Sequence, residues 1–295
     1  MILTVTLNPA IDVIIRKRKM ISAGGKGINV ARALKALGIP VMATGVWGGK
    51  TAVDMKQLLG HESLRADFVR ILGETRTNVT DLSSGSIKRT IERGPEVTAA
   101  EMERFKLAYQ RLLKKLSIVV LSGRNAYKVD DRIYAQLIRL AKKERVPCVL
   151  DSHGLPFRVG IQACPWVIKP NLKELEELLQ ERCRGKRKMK QAIEYLHDQG
   201  IKIVLLTLGE KGAVGSLSKE MIFCQAPFLK KSNDVGCGDA FLAGFLYAQV
   251  RGFSFEKSLQ AATAAGAANV MNMTPGLISR KNVLKLMARV RVSKF

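Results

Sequence analysis

Short runs of β-branched and apolar residues recur along the chain as ILTVTL, VMATGVW, SIVVLS, PCVLDS, WVIKP and IVLLTL. Most are separated by segments of helical period rather than by tight hairpin turns. That alternation predicts a mainly parallel sheet with helices between its strands. Apolar residues recur three and four apart over Ile28 to Leu37, Glu101 to Leu116, Asp131 to Glu144, Leu172 to Leu179 and Met189 to Leu196, the period of amphipathic helices. Thr98 with Glu101 has capping-box spacing and marks one helix start. Near the C-terminus GDAFLAGFLYAQV and LQAATAAGAANVM are apolar nearly all round and rich in Ala and Gly, as closely packed helices would be. Arg16 to Lys19 and TDLSSGSIKRTIERG break the alternation with charge, Ser and Gly, and are read as a small accessory flap.

The chain has 295 residues, 47% hydrophobic and 25% charged, which excludes a disordered chain and a stapled mini-protein. With no repeat and no linker, one domain over 1–295 is expected. No apolar stretch reaches membrane-spanning length and no leader is evident, so a cytoplasmic protein without membrane attachment is expected. Five widely spaced cysteines lack a C-x-x-C pair and read as reduced thiols. Lys plus Arg number 49 against 25 for Asp plus Glu, a net charge of +24 that favours polyanions or phosphorylated small molecules. The basic runs RKRK and RCRGKRKMK contain no aromatic residue to stack a base, so nucleic acid is not the expected partner.

Three segments could carry chemistry. In SNDVGCGDAFLAGF, Gly236 and Gly238 precede an apolar helix whose first turn holds Asp239. A helix start offers backbone N–H groups and positive dipole to an anion, and an acid there can accept a proton, a combination suited to phosphoryl transfer. The plainer reading of Asp239 is a helix cap. In AGGKGINVARAL a glycine turn at Gly25 feeds a helix, with Lys26 and Asn29 able to bind sugar hydroxyls or phosphate. Neither turn has the spacing of a Walker loop or of a dinucleotide fingerprint. In VIKPNLKEL and LLTLGEKGAVG, Lys169, Asn171, Glu174, Thr207 and Gly209 fall at strand ends, where parallel sheets collect ligands. Asn171 and Glu174 equally suit a capping box. The three histidines carry no metal or triad signature and read as surface or packing residues.

Taken in order, GGKGIN, TRTN, KPNLKEL, TLGEKGA and VGCGDAFLAGF resemble the PfkB branch of the ribokinase-type carbohydrate kinases, from Leu3 to about Val290. The opening TVTLNPAID and the pairing of AGGKGINVARAL with GETRTN look most like the 1-phosphofructokinase and tagatose-6-phosphate kinase members. The resemblance implies a ribokinase-like doubly wound α/β fold that transfers the γ-phosphate of ATP to a sugar-phosphate hydroxyl with Mg²⁺. It implies Asp239 as the base and the N–H groups of Gly236, Cys237 and Gly238 as the anion hole. It matches Asp12, Gly25, Lys26 and Asn29 to sugar contacts and Arg76 to the substrate's own phosphate. Lys169, Asn171 and Glu174 match the N-x-x-E region, where Glu174 orders the metal through water or phosphate. Thr207, Gly209 and Gly212 match ATP contacts, and Ala264 to Asn269 the adenine wall.

The chain departs from the family pattern in three places. Between Asp12 and Gly24 it is much shorter, which implies a curtailed lid around 12–22 and 76–95 and touches the strands that make a dimer contact in some members. SGRNAYKV puts Arg124 where relatives have a phosphate-contacting serine, and a guanidinium suits the same ligand. Asp234 and Cys237 replace the more usual Thr and Ala. The expected function is phosphorylation of a ketohexose phosphate, fructose 1-phosphate first. The alternatives are a tagatose-6-phosphate kinase, another sugar or nucleoside kinase of the fold, and a non-catalytic polyanion-binding scaffold.

Overall fold

All six apolar runs are strands of one ten-stranded sheet in the computed structural model, which describes residues 1–16, 18–81, 83, 88–218, 220–229 and 234–295. The strands are β1 (Ile2–Thr6), β4 (Val41–Gly48), β8 (Ile118–Ser122), β9 (Cys148–Asp151), β10 (Val167–Ile168) and β11 (Ile203–Thr207), with β5 (Ala66–Ile71) at one edge. They run parallel in the order β11-β10-β9-β8-β1-β4-β5. Every residue of β1, β8 and β9 is buried. Both faces are covered, which is why their sequences are continuous rather than alternating apolar runs.

Three further strands extend the other edge antiparallel: β12 (Gly212–Leu217), β13 (Glu220–Gln225) and β14 (Arg291–Lys294). The pattern of the chain does not announce β12, whose two glycines suggest only a turn. Gly215 is there for packing, since a methyl on it would come within 2.9 Å of Leu259.

One face of the sheet carries α1 (Lys26–Ala36), α2 (Gly49–His61), α8 (Cys237–Val250), α9 (Phe255–Asn269) and α10 (Arg280–Met287) around Ile28, Leu34, Met55, Phe245 and Leu259. The opposite face carries α3 (Ala99–Leu113), α4 (Ile133–Lys143), α5 (Gly154–Ile161), α6 (Leu172–Leu179) and α7 (Gly185–Asp198). Helices α8 and α9 approach so closely that a methyl on Gly244 would lie 2.6 Å from the Ala261 carbonyl, which accounts for their small residues.

A second sheet in the order β3-β2-β6-β7 stands apart from the first. It comprises β2 (Ala10–Ile15), β3 (Lys19–Gly24), β6 (Arg76–Asp81) and β7 (Lys88–Ile91). The described residues of the segments read as accessory belong to these strands or border them. The shortened stretch after Asp12 still makes a hairpin, with Ile15 opposite Lys19. Of these segments, Lys17, Leu82 and residues 84–87 lie outside the described residues, as do Ser232 and Asn233 of the glycine-turn motif.

From β1 the chain builds outward to β4 and β5, then returns to the other side of β1 with β8. Strand order reverses there, and connections leave opposite ways, opening a crevice at the carboxyl ends of β1, β8 and β9.

Candidate active site

The carboxyl end of β9 delivers Asp151 into that crevice, fully buried. Lys26, at the first position of α1, and Lys169, just past β10, each place Nζ 3.2 Å from the same oxygen, Asp151 Oδ1. Lys26 also lies 3.8 Å from Glu174 Oε1. Burial disfavours the Asp151 charge, but Lys169 and Lys26 outweigh it and hold the acid below the usual carboxylate range. Burial likewise opposes the charge on Lys26, and the carboxylates of Asp151, Asp239 and Glu174 reverse the effect, so it stays protonated. Oδ2 of Asp151 is buried with no hydrogen-bond partner among the described residues. Asp151 is a site residue that sequence reading missed. Its one signal was an acid closing the apolar run PCVLD.

Asp239 faces the same crevice from the first turn of α8 and is 5% exposed. Its Oδ2 accepts from Asn29 Nδ2 at 2.8 Å. Burial and the charge of Asp151 push its pKa up to about 6, against the pull of Lys26, Asn29 and Lys169. The helix starts there because Gly236 adopts the left-handed φ of 81° that ends the preceding turn. A side chain at Gly236 would also strike Pro275, at 2.6 Å. The Cys237 N–H makes a long, 3.5 Å bond to the Asp234 carbonyl. A methyl on Gly238 would sit 3.3 Å from Lys169 Nζ, so the glycine lets the ammonium approach the helix start.

On one side of Asp239 opens a cavity of about 920 Å³. Asn171, Thr207, Gly209, Gly212, Cys237 and Gly238 line it, with Thr263, Gly266, Ala267 and Val270 from the α9 side. Its size and largely apolar α9 wall suit a nucleoside. Asn171 and Glu174 realise the plainer reading as well: the Asn171 side chain accepts from the Glu174 N–H and the Glu174 carboxylate from the Asn171 N–H, both at 2.9 Å. Asn269 departs from the expectation. It is fully buried, accepts from the Gly276 N–H and donates to the Val235 carbonyl, each at 2.8 Å. Its side chain braces the glycine turn from behind and is not part of the cavity wall.

The second sheet holds a further set of polar groups. Strands β2 and β6 are parallel with Asp12 opposite Asn78, and Asn78 Nδ2 donates to Asp12 Oδ1 at 2.8 Å. Burial raises the pKa of Asp12 despite Asn78, Arg76 and Arg32 nearby. Asn78 is the last residue of the TRTN motif, two beyond Arg76 and on the same strand face. Arg76 donates to the carbonyls of Glu92 and Asn8 at 3.0 and 3.1 Å, and its buried Nε has no partner among the described residues. Gly25 has φ 120° and packs where a methyl would lie 2.7 Å from Thr6. Arg124 is exposed on the loop after β8, its Nε 3.3 Å from Nε2 of His153. His153 is thus a site neighbour rather than a plain packing residue, and burial, Lys26 and Arg124 all lower its pKa. His197 does pack, between the Ile201 carbonyl and the Ser216 hydroxyl. Asn29, expected at the sugar, is turned to Asp239 and is 6% exposed.

A buried acid at a helix start, two ammonium groups on a shared carboxylate and a nucleoside-sized cavity are groups that phosphoryl transfer can use. The chain belongs to the pfkB family of carbohydrate kinases, whose model matches residues 11–280. Such enzymes transfer a phosphoryl group to an alcohol, and kinases of this family use ATP as co-substrate. Solved structures agree. A variant of Escherichia coli phosphofructokinase-2 is 27% identical with a TM-score of 0.91, covering 98% of each chain. A Thermotoga maritima protein described as a possible 1-phosphofructokinase is 25% identical at TM-score 0.91, covering 100% of this chain and 99% of its own. Arabidopsis thaliana ribokinase, complexed with ribose and ATP, is 26% identical at TM-score 0.78, covering 97% and 98%. No helix among the described residues is long and apolar enough to cross a membrane.

Proposed function

We propose that the chain transfers the γ-phosphoryl group of ATP to a hydroxyl of a ketohexose phosphate, with fructose 1-phosphate the first acceptor. One observation carries this reading: Asp239 directly follows Cys237 and Gly238, which line the large cavity, and is tied through Asn29 and Arg32 to Ala23 of the second sheet. A donor in the cavity and an acceptor against Asp12 and Arg76 would meet at its carboxylate. Asp239 takes the proton of the attacking hydroxyl, a role worth about 10² to 10⁴ in rate. Lys26, Lys169 and the N–H groups of the 236–238 turn offset charge on the moving phosphoryl group. Arg76 and Arg124 hold the acceptor's own phosphate, and the second sheet serves as the lid.

Mg²⁺ suits the oxygen donors present. No cluster of three or more metal-binding side chains occurs among the described residues, so the ion would rest chiefly on the nucleotide's phosphates. Glu174, through water, and the unpartnered Oδ2 of Asp151 would complete its shell. When bound it neutralises charge on the β and γ oxygens.

Fructose 6-phosphate is the second reading, favoured because the E. coli phosphofructokinase-2 neighbour has been solved with that sugar phosphate. The same protein has a tetrameric form, in keeping with homo-oligomers for this chain. A coupled assay of ADP release over fructose 1-phosphate, fructose 6-phosphate and tagatose 6-phosphate tests the reading. Highest kcat/KM on fructose 1-phosphate supports it. Turnover with none of them, together with salt-sensitive retention on DNA, points to the polyanion-binding scaffold.

A further inference from the structure

Arg32 is an arginine on the buried side of an otherwise apolar stretch of α1, only 5% exposed. A guanidinium has five N–H donors in a rigid fork, and here all five are engaged. Nε and Nη2 clasp the two carboxylate oxygens of Glu62 at 2.7 and 2.8 Å. Nη2 also donates to the Ala23 carbonyl at 2.7 Å. Nη1 donates to the Pro275 carbonyl at 2.7 Å and to Asn29 Oδ1 at 3.1 Å. One side chain thereby joins a strand of the second sheet, the helix that carries Lys26, and the segment packed against Gly236.

The bond to Asn29 has a chemical consequence. An amide has one acceptor end and one donor end, and Arg32 takes the acceptor. Nδ2 must then face Asp239, where it donates at 2.8 Å. A flipped amide would set an oxygen against the carboxylate and an NH₂ group against the guanidinium, both repulsive. Pro275 and Gly276 close the unit. Gly276 passes so near Asn29 that a methyl on it would lie 2.3 Å from the Asn29 carbonyl oxygen, and its N–H bonds Asn269, which holds Val235 beside the glycine turn.

We propose that Arg32 is a positioning residue for phosphoryl transfer: it fixes the orientation of the Asn29 amide that holds Asp239, and it ties the Ala23 end of the second sheet to the same rigid unit. This rests on Asp239 acting as the base. A purely structural Arg32 would influence melting alone. A positioning Arg32 influences turnover, because an Asp239 that loses its fixed donor changes both its direction and its affinity for a proton.

The test compares the full-length wild type with Arg32→Lys and Glu62→Gln in kcat, in KM for ATP and sugar phosphate, in the pH dependence of kcat, and in melting. Lysine keeps the charge but cannot reach Asn29, Pro275 and Ala23 together. The expected result for Arg32→Lys is a kcat lower by about 10- to 100-fold with both KM values within about threefold, the mark of an interaction needed in the transition state. The acid limb of the profile should move to higher pH, since Asn29 favours the ionised carboxylate. Glu62→Gln keeps the guanidinium and should lower kcat by about 3- to 10-fold with a shift in the same direction. If Arg32→Lys does not fold, Glu62→Gln decides by the same two readouts. Folded variants with wild-type kcat and an unmoved acid limb, or a raised KM at unchanged kcat, overturn the proposal. A wild type inactive on every sugar phosphate removes the kinase reading and this proposal with it, an outcome distinct from an active wild type with unaffected variants.

Discussion

Asn29 and Asp239 are 210 positions apart in the chain, yet the amide of one donates to the carboxylate of the other at 2.8 Å inside the protein. The bond makes the acid directional. Asn29 occupies Oδ2, so that under the proposed mechanism Oδ1 would meet the acceptor hydroxyl, and it partly offsets burial that would otherwise favour the protonated form. The balance leaves Asp239 with a pKa of about 6, ionised at neutral pH and closer to its task than an ordinary aspartate.

The pH profile of kcat follows from that balance. A base works only when ionised, and burial with the Asp151 charge raises the pKa of Asp239 from 3.8 to about 6. Turnover should therefore be level above about pH 7 and fall about tenfold per unit well below 6. Steady-state rates from pH 5 to 8 check this, and a profile level down to pH 5 would remove Asp239 as the base.

Asp239→Asn keeps an acceptor for Asn29 and removes the charge. We expect kcat lower by about 10² to 10⁴ with the KM for ATP within a few-fold. Stability should move the other way. Because the folded pKa is raised, the wild type loses stability as pH climbs from about 4 to 6, by on the order of 1 to 3 kcal/mol, and stays at the lower level above that. The variant should melt higher than wild type at pH 8 and show little difference at pH 4. Urea melts at both values separate the cases.

Asp151→Asn removes the carboxylate that Lys26 and Lys169 share, leaving Lys26 with Glu174 at 3.8 Å. Lys169 is nearly fully buried, and breaking a buried charge pair by removing one partner costs about 3 to 5 kcal/mol. The folded pKa of Asp151 lies below its ordinary value, so its contribution is present at neutral pH and lost only on strong acidification. The variant should unfold at markedly lower urea at pH 7 and bind Mg·ATP more weakly by calorimetry. A wild-type midpoint would show that the lysines find other counter-charges.

Arg76→Ala should raise the KM for the sugar phosphate by about tenfold or more and leave that for ATP within about twofold, the scale of one charge-assisted contact. Arg76 also ties the Asn8 and Glu92 carbonyls, so melting is measured alongside. Equal losses for both substrates would assign Arg76 to the fold of the second sheet instead.

Much of this protein was legible before folding. Six apolar runs became six strands because a strand buried on both faces is apolar at most of its positions, a local property of composition. The turn at Gly236, the acid three residues later and the capping box at Asn171 were readable for the same reason, since helix starts are set by neighbours within one turn. What tertiary structure alone decided is which of these groups meet. Asp151 was invisible as the shared counter-charge of Lys26 and Lys169, because topology, not spacing, brings the start of α1 and the ends of β9 and β10 together. The turn of Asn29 toward Asp239 depends on a buried partner 210 positions away, and that of Asn269 away from the cavity on Val235, 34 positions away. Periodicity records which face of an element is buried. Only the packed fold determines what each buried polar group finds there, since an unpaired one is costly and each must settle on the partner that topology supplies.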